Sequence, residues 1–296
     1  MIPICSNSKP ILQSRTDRGA PGQVPYNMRM LPALALLASS AGVLACDNEQ
    51  YPLLRIESFE YGYAHPDTIA AGLTRVRLVN RGTEWHEALL ARLADHTLSA
   101  GDYADSVRAG VNFPGFARGF GGPSLTIPRD STDLIVNLVP GRYALVCWFK
   151  GHLRRHGMAS DLVVMDRGTA ARQPPQTTAT VTMRDYAFAL SQPLVAGPNV
   201  IKIQNRGAEI HELDVFRLKP GMTSDALVAW QAGDQEGEAP GTPIGGTLDV
   251  EPGDHVWLEL DLAPGRYVLI CIVPASDGQP HAHKGMVLEI EIAQPA

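Results

Sequence analysis

Short stretches in which hydrophobic and polar residues alternate occur throughout the chain after residue 50. In one stretch the hydrophobic positions are Val256, Leu258, Leu260 and Leu262, and in another they are Met286, Leu288, Ile290 and Ile292. A period of two predicts β-strands, because successive side chains of a strand point to opposite faces. Pro-Gly and Gly-Gly turns separate the stretches. We therefore predict an all-β fold of Greek-key sandwiches, with one short helix over residues 223–231.

An internal repeat divides this region in two. The segment NRGTEWHE that ends at Glu87 matches NRGAEIHE, which ends at Glu212, and PGRYALVC, ending at Cys147, matches PGRYVLIC, ending at Cys271. A repeat of this length predicts duplicated domains rather than a solenoid. We expect two tandem sandwich domains joined by a polar, proline-containing linker. Their boundaries are residues 51–166 for domain 1, 167–178 for the linker and 179–294 for domain 2.

The first part of the chain has the features of an export signal. Residues 31–44 (LPALALLASSAGVL) are small or apolar and too few to cross a bilayer, so residues 1–45 are predicted to be a signal peptide region. Met28 and Met30 are alternative starts. The segment VLAC resembles a bacterial lipoprotein box in which Cys46 is lipidated. A plain signal peptide followed by an incidental cysteine is the alternative.

Composition limits the classes of function. The chain has 25 basic and 31 acidic residues, and 21 and 30 remain without residues 1–45. An acidic chain does not suit nucleic-acid binding, because phosphates are recognised by basic surfaces. After residue 45 there are cysteines only at Cys46, Cys147 and Cys271, which is too few for a disulfide framework. The two cysteines at matching places in the repeat need another role.

The residues around Cys271 occur in an order that suits a metal. His211 precedes it by 60 residues, and His281 and Met286 follow it across a turn-rich loop. Two imidazoles, a thiolate and a weak thioether are the ligand set of type 1 copper, because sulfur stabilises Cu(I) while imidazole also accepts Cu(II). The order predicts one copper ion in domain 2, with His283 as an alternative to His281. Singly, each of these residues also fits an ordinary structural role.

This arrangement resembles the cupredoxin family, whose members combine an early His with a late Cys…His…Met loop. The resemblance is carried by Cys271–His281 (CIVPASDGQPH), followed by Met286, which is similar to plastocyanin- and azurin-like copper proteins. It extends over both repeats and implies cupredoxin-like sandwiches. It also implies that His211, Cys271 and His281 are equatorial ligands and that Met286 is the axial ligand.

Domain 1 contains a similar set. The resemblance implies a second copper ion at His86, Cys147, His152 and Met158, since the interval from Cys147 to His152 matches that of azurin. His156 is the alternative to His152. The interval from His152 to Met158 is one residue longer than the corresponding interval in domain 2, so the two loops differ at this point.

A glutamate directly follows the first histidine of each set. Glu87 and Glu212 are expected either to accept a hydrogen bond from an imidazole and so orient it, or to be solvated at the end of a strand.

The resemblance also bears on catalysis. Multicopper oxidases and copper nitrite reductases of the same fold take further copper ligands from histidines beside the Cys and from His-x-His pairs in partner domains. The one His-x-His pair in this sequence, at residues 281–283, has no matching pair elsewhere. Neither Cys147 nor Cys271 has a histidine next to it. We therefore expect that the chain is not an enzyme.

The expected function is that of an electron carrier tethered to a membrane outside the cytoplasm, as a periplasmic or cell-surface lipoprotein. Copper storage, delivery or tolerance is one alternative, and a copper-free interaction module is another. Lys150, Arg154 and Arg155 bracket His152 on an otherwise acidic chain. The expected partners are a redox protein, with an acidic one attracted by this basic cluster, and a membrane reached through the lipid anchor.

Overall fold

The structure is a computed structural model that describes residues 50–168, 171–232, 235 and 237–294. Tyr51–Ala296 is one compact unit. We call residues 51–168 the first half and residues 171–294 the second half. Within the described residues, no helix has the length and hydropathy that crossing a membrane requires. The predicted signal peptide region and Cys46 lie outside the described residues.

The strands follow the alternating stretches of the sequence. Those of the first half are β1 Leu53–Phe59, β2 Gly62–Ala64, β3 Thr68–Ala70, β4 Gly72–Asn80, β5 Leu89–Leu93, β6 Ala117–Gly119, β7 Ser131–Leu138, β8 Gly141–Val146 and β9 Ala159–Met165. Those of the second half are β10 Ala179–Arg184, β11 Ala187–Leu190, β12 Gly197–Asn205, β13 His211–Leu218, β14 Gly241–Val250, β15 His255–Leu262, β16 Gly265–Ile270 and β17 Val287–Ile292.

These strands form three sheets. One sheet has the order β3-β9-β8-β5-β6 and belongs to the first half, and another has the order β14-β13-β16-β17 and belongs to the second half. The third runs β11-β10-β12-β15-β7-β4-β1-β2 and takes strands from both halves. The prediction of an all-β sandwich fold is confirmed. The assignment of two domains, with its boundaries, stays a prediction.

The shared sheet explains a departure from the simple alternation. Strand β15 pairs with β7 at Trp257–Ile135 and Leu258–Leu134, which joins the halves. Val256 and Leu258 face the main core, as their period predicts. Trp257 is also buried, because it packs with Tyr51 and Ile135 on the other face. A sheet covered on both faces has strands that no longer alternate cleanly.

Two α-helices lie in connections between strands. The predicted helix is present as α2 (Ser224–Ala232). The sequence analysis missed α1 (Ala100–Arg108), although Ser99 and Asp102 form a capping box at its start. That pattern, Ser-x-x-Asp before an amphipathic run, is a recognisable helix start. Four of the helix's nine side chains are buried against the outer face of the first-half sheet.

Candidate metal centres

The structure brings three predicted ligands of the first half together, and we call this group site 1. His86, Cys147 and His152 are buried, and their donor atoms lie within 4.8 Å of one another. The Sγ atom of Cys147 is 3.4 Å from Nδ1 of His152 and 3.9 Å from Nδ1 of His86. Donor atoms that bind one first-row metal ion at about 2.0–2.3 Å lie about 3–4 Å apart. The spacing therefore suits a single metal ion.

Site 2 consists of the matching residues of the second half. His211, Cys271 and His281 are each fully buried, again with donor atoms within 4.8 Å of one another. Nδ1 of His281 is 3.5 Å from Sγ of Cys271 and 3.0 Å from Nδ1 of His211. The Nδ1 atoms of His86, His152 and His281 face the sulfur of their own site, and Nδ1 of His211 faces Nδ1 of His281.

Repeated structural elements position these side chains. The first histidine lies at or just before a strand: His211 opens β13, and His86 forms a bridge to Thr126 ahead of β5. Cys147 comes directly after β8, and Cys271 directly after β16. The second histidine and the methionine come from the loop that follows. One end of each half therefore collects all the predicted ligands.

Backbone hydrogen bonds fix the cysteines. The N–H of Glu87 donates to Sγ of Cys147 over 3.4 Å, and the N–H of Glu212 donates to Sγ of Cys271 over the same distance. A sulfur that accepts an amide hydrogen bond is stabilised in its anionic form. The bonds also hold the early histidine strand against the cysteine.

The extra residue between His152 and Met158 has a structural explanation. The N–H of Met158 donates to the carbonyl of His152, and the N–H of Met286 donates to the carbonyl of His281. His152 and His281 are therefore equivalent. A π-helical turn over His152–His156 takes up the additional residue, because such a turn holds one residue more than an α-turn.

The predicted axial ligands are fully buried. The carbonyl oxygen of Met158 accepts the N–H of Cys147 over 3.3 Å, and that of Met286 accepts the N–H of Cys271 over 3.2 Å. Each methionine therefore stands beside the cysteine of its own site.

The alternative histidines lie outside both groups. His156 is exposed and stacks on Tyr61 with 3.7 Å between ring centroids. His283 is exposed, and its Nδ1 is 3.3 Å from the side-chain oxygen of Gln279.

Glu87 and Glu212 have a different role from either expectation. Both are buried, and their carboxylates accept backbone N–H bonds from Trp148 and Ile272, at 3.1 and 2.9 Å. The described hydrogen bonds of these carboxylates go to backbone N–H groups and not to an imidazole. Their position fixes the residue after each cysteine, and burial raises the pKa of Glu87 to about 8.

Other carboxylates, which the sequence analysis missed, contact the imidazoles. Glu84 lies 2.7 Å from Nε2 of His152, and Glu209 lies 2.8 Å from Nε2 of His281. Asp185 lies 3.1 Å from Nε2 of His211. The signal was in the repeat itself, since Glu84 and Glu209 occupy the same place in the two matching segments.

The carboxylates define the tautomers of the histidines. A carboxylate accepts hydrogen bonds, so each imidazole that contacts one through Nε2 carries its proton there and has a bare lone pair at Nδ1. In site 2 two such lone pairs face each other across 3.0 Å. This arrangement is favourable when a cation lies between them. The donor set therefore fits a metal ion.

Burial favours the neutral form of three of the site histidines. It lowers the pKa of His86 to about 4, with a contribution from nearby His152, and it lowers the pKa of His152 and of His211 as well. Burial also raises the pKa of the Cys147 and Cys271 thiols. Neutral imidazoles are the form that binds metals, while each thiol must lose a proton to a metal that enters.

Comparisons with known proteins give distant similarities. No protein-family model and no curated protein match the chain. Auracyanin from Roseiflexus castenholzii has 17% identity and a TM-score of 0.29, with 39% of this chain and 95% of that chain covered. Copper nitrite reductase from Nitrosomonas europaea has 13% identity and a TM-score of 0.24, with coverages of 81% and 93%. Blue copper oxidase from the same organism has 14% identity and a TM-score of 0.23, with coverages of 82% and 85%.

One expectation from the sequence needs correction. We expected that the chain is not an enzyme, but the solved structures whose similarity spans about four-fifths of it are those of enzymes. That expectation rested on the lack of a histidine next to Cys147 or Cys271 and of a second His-x-His pair to match the one at residues 281–283.

Proposed function

We propose that the protein is a type 1 copper protein that transfers single electrons, with one copper ion at site 1 and one at site 2. The observation that carries this proposal is the convergence of two Nδ1 atoms and one cysteine sulfur, twice in one chain. Met158 and Met286 are the proposed axial ligands. Copper would supply a couple between Cu(I) and Cu(II) to which thiolate, imidazole and thioether are suited.

The surrounding residues favour rapid electron transfer over copper exchange. All eight proposed ligands are buried, and backbone hydrogen bonds hold the cysteines and methionines in place. Such a site changes little when its charge changes by one. A protein that stores or delivers copper needs ligands that release the ion to a partner.

Copper addition followed by redox cycling separates the candidate functions. An electron-transfer protein becomes strongly coloured, is bleached by ascorbate and regains its colour with ferricyanide, while retaining its copper on gel filtration. Loss of the copper to a Cu(I) chelator within seconds would indicate delivery instead. No colour at all would indicate a copper-free module.

We further propose that Cys46 is lipidated and holds the protein at a membrane outside the cytoplasm. The support is in the sequence, where an apolar segment of signal-peptide length leads directly to VLAC. Cys46→Ala should move the protein from the membrane fraction to the soluble fraction. Unchanged membrane association of this variant would contradict the anchor.

A second candidate function is oxidation or reduction of a small molecule. A cavity of about 330 Å³ is lined by Glu87 and Trp148, next to ligands of site 1, and by Glu212 and Ile272, next to ligands of site 2. A molecule bound there would contact residues that are adjacent in sequence to proposed ligands of both sites. Steady-state assays with nitrite, and of oxygen consumption with a reductant, test this candidate. Turnover that Trp148→Ala abolishes without loss of copper would support it.

A further inference from the structure

The two candidate sites differ in the partners of their imidazoles. In site 2 both imidazoles contact a carboxylate through Nε2: His211 contacts Asp185, and His281 contacts Glu209. In site 1 only His152 does so, through Glu84. The Nε2 atom of His86 is buried and has no hydrogen-bond partner.

The difference follows from two substitutions between the halves. Asp185 accepts the backbone N–H of Ala208 and reaches His211 with the same oxygen. At the matching place Glu60 is bound by the backbone N–H of Thr83, and the Thr83 hydroxyl donates to it over 3.0 Å. The hydroxyl, which Ala208 lacks, draws Oε1 of Glu60 towards Thr83. Glu60 therefore lies near His86 without bonding to it.

The carboxylate of Glu209 is also better fixed than that of Glu84. The hydroxyl of Tyr186 donates to Glu209 over 3.0 Å, while the other oxygen of Glu209 faces His281. Tyr61, at the corresponding place in the first half, instead stacks on His156.

A carboxylate on the outer nitrogen makes an imidazole a stronger donor to a bound metal. A stronger, more negative ligand set stabilises Cu(II) relative to Cu(I) and lowers the reduction potential. Nearby charges act in the same direction. Exposed Lys150, Arg154 and Arg155 surround the site 1 loop, whereas in the site 2 loop Lys284 pairs with Asp277 over 2.5 Å.

We propose that site 2 has the lower reduction potential, so that within one chain an electron passes from site 2 to site 1. This inference rests on the proposed copper function. Site 2 is then the entry for electrons and site 1 their exit. We expect an internal equilibrium constant of about ten in favour of a reduced site 1, which corresponds to a difference of about 59 mV for a one-electron couple.

The test uses full-length proteins that each retain one site. Cys271→Ser keeps site 1 and Cys147→Ser keeps site 2, and spectroelectrochemistry of the copper-loaded proteins gives each potential. The expected result is the lower value for site 2. Equal or reversed potentials would overturn the inference while leaving the copper function intact. Absence of a thiolate-to-copper band in both proteins would instead refute the proposed function.

Further variants test whether the carboxylates are the cause. In the protein that keeps site 2, Asp185→Asn should raise the potential by at least half of the difference between the sites. In the protein that keeps site 1, Glu60→Asp combined with Thr83→Ala recreates the site 2 arrangement and should lower the potential. Glu289→Gln, which removes an exposed carboxylate paired with Arg266, is the matched control. Equal shifts for Asp185→Asn and this control would overturn the assignment to Asp185.

Discussion

The backbone N–H of Cys271 donates a hydrogen bond to the carbonyl oxygen of Met286 over 3.2 Å. This bond holds the buried methionine next to the cysteine, and its thioether is the proposed weak axial ligand. Met286→Leu should therefore keep the colour of copper-loaded site 2 but raise its reduction potential by about 59 mV, a tenfold change in equilibrium constant. Voltammetry of the Cys147→Ser protein checks this, with exposed Met222→Leu as the control. An unchanged potential would show that Met286 only fills the core.

The two groups of His, Cys and His side chains could be predicted from the sequence because their members occur twice, in the same order and at matching places between strands. The contacts of Glu84, Glu209 and Asp185 could not. A carboxylate reaches an imidazole through the packing of separate strands, and Asp185 lies 26 residues from His211. Glu87 and Glu212 were candidates for orienting an imidazole because each follows a candidate ligand in sequence. In extended backbone, however, neighbouring side chains point to opposite faces.

The shared sheet could not be predicted from the sequence either. Its central pairing rests on Leu134 and Ile135 meeting Trp257 and Leu258, residues that are more than 120 positions apart. Alternation identifies strands but carries no information on which strand edges meet. The one sequence signal of this pairing was Trp257, an apolar residue on the strand face that was expected to be polar.

An ion pair across the shared sheet links the two halves, and we expect it to make their unfolding cooperative. Arg75 on β4 donates to Glu259 on β15 over 3.0 Å, and its side chain is only 8% exposed. Glu259→Ala leaves that charge unpaired and should lower the free energy of unfolding by about 3 kcal/mol. Urea denaturation measures this, with exposed Glu291→Ala as the control. Equal stability of both variants, or two separate transitions in the parent, would contradict the coupling.

A buried carboxyl makes stability depend on pH. Burial raises the pKa of Asp249 to about 7, well above its ordinary value, so the folded protein binds a proton that the unfolded chain has lost. The contribution of Asp249 to stability then rises by about 1 kcal/mol as pH falls from 8 to 6.5. Thermal unfolding of the copper-free protein at both pH values should show a smaller difference in Asp249→Asn. An identical difference in the variant would argue against a buried, protonated Asp249.

The basic residues around site 1 should steer charged redox partners. Arg154 and Arg155 are exposed next to His152. Their joint replacement by Gln should slow oxidation of reduced site 1 by anionic ferricyanide at low salt, and speed oxidation by a cationic cobalt complex. Both effects should fade near 0.1 M salt, where charges are screened over about 10 Å. Stopped-flow rates check this in the Cys271→Ser protein.

The control for steering replaces two exposed arginines elsewhere, Arg129 and Arg167, by Gln. Net charge then changes equally in both proteins. Equal rates for the two double variants at low salt would mean that overall charge, and not the cluster, sets the rate.

The central claim is that each half binds one copper ion through its own cysteine. The most direct measurement is copper per chain, together with the thiolate-to-copper absorption band, for the parent, Cys147→Ser, Cys271→Ser and the double variant. The account predicts two copper ions in the parent, one in each single variant with a separate part of the band, and none in the double variant. A double variant that retains copper and colour, or a parent that binds none, would contradict it.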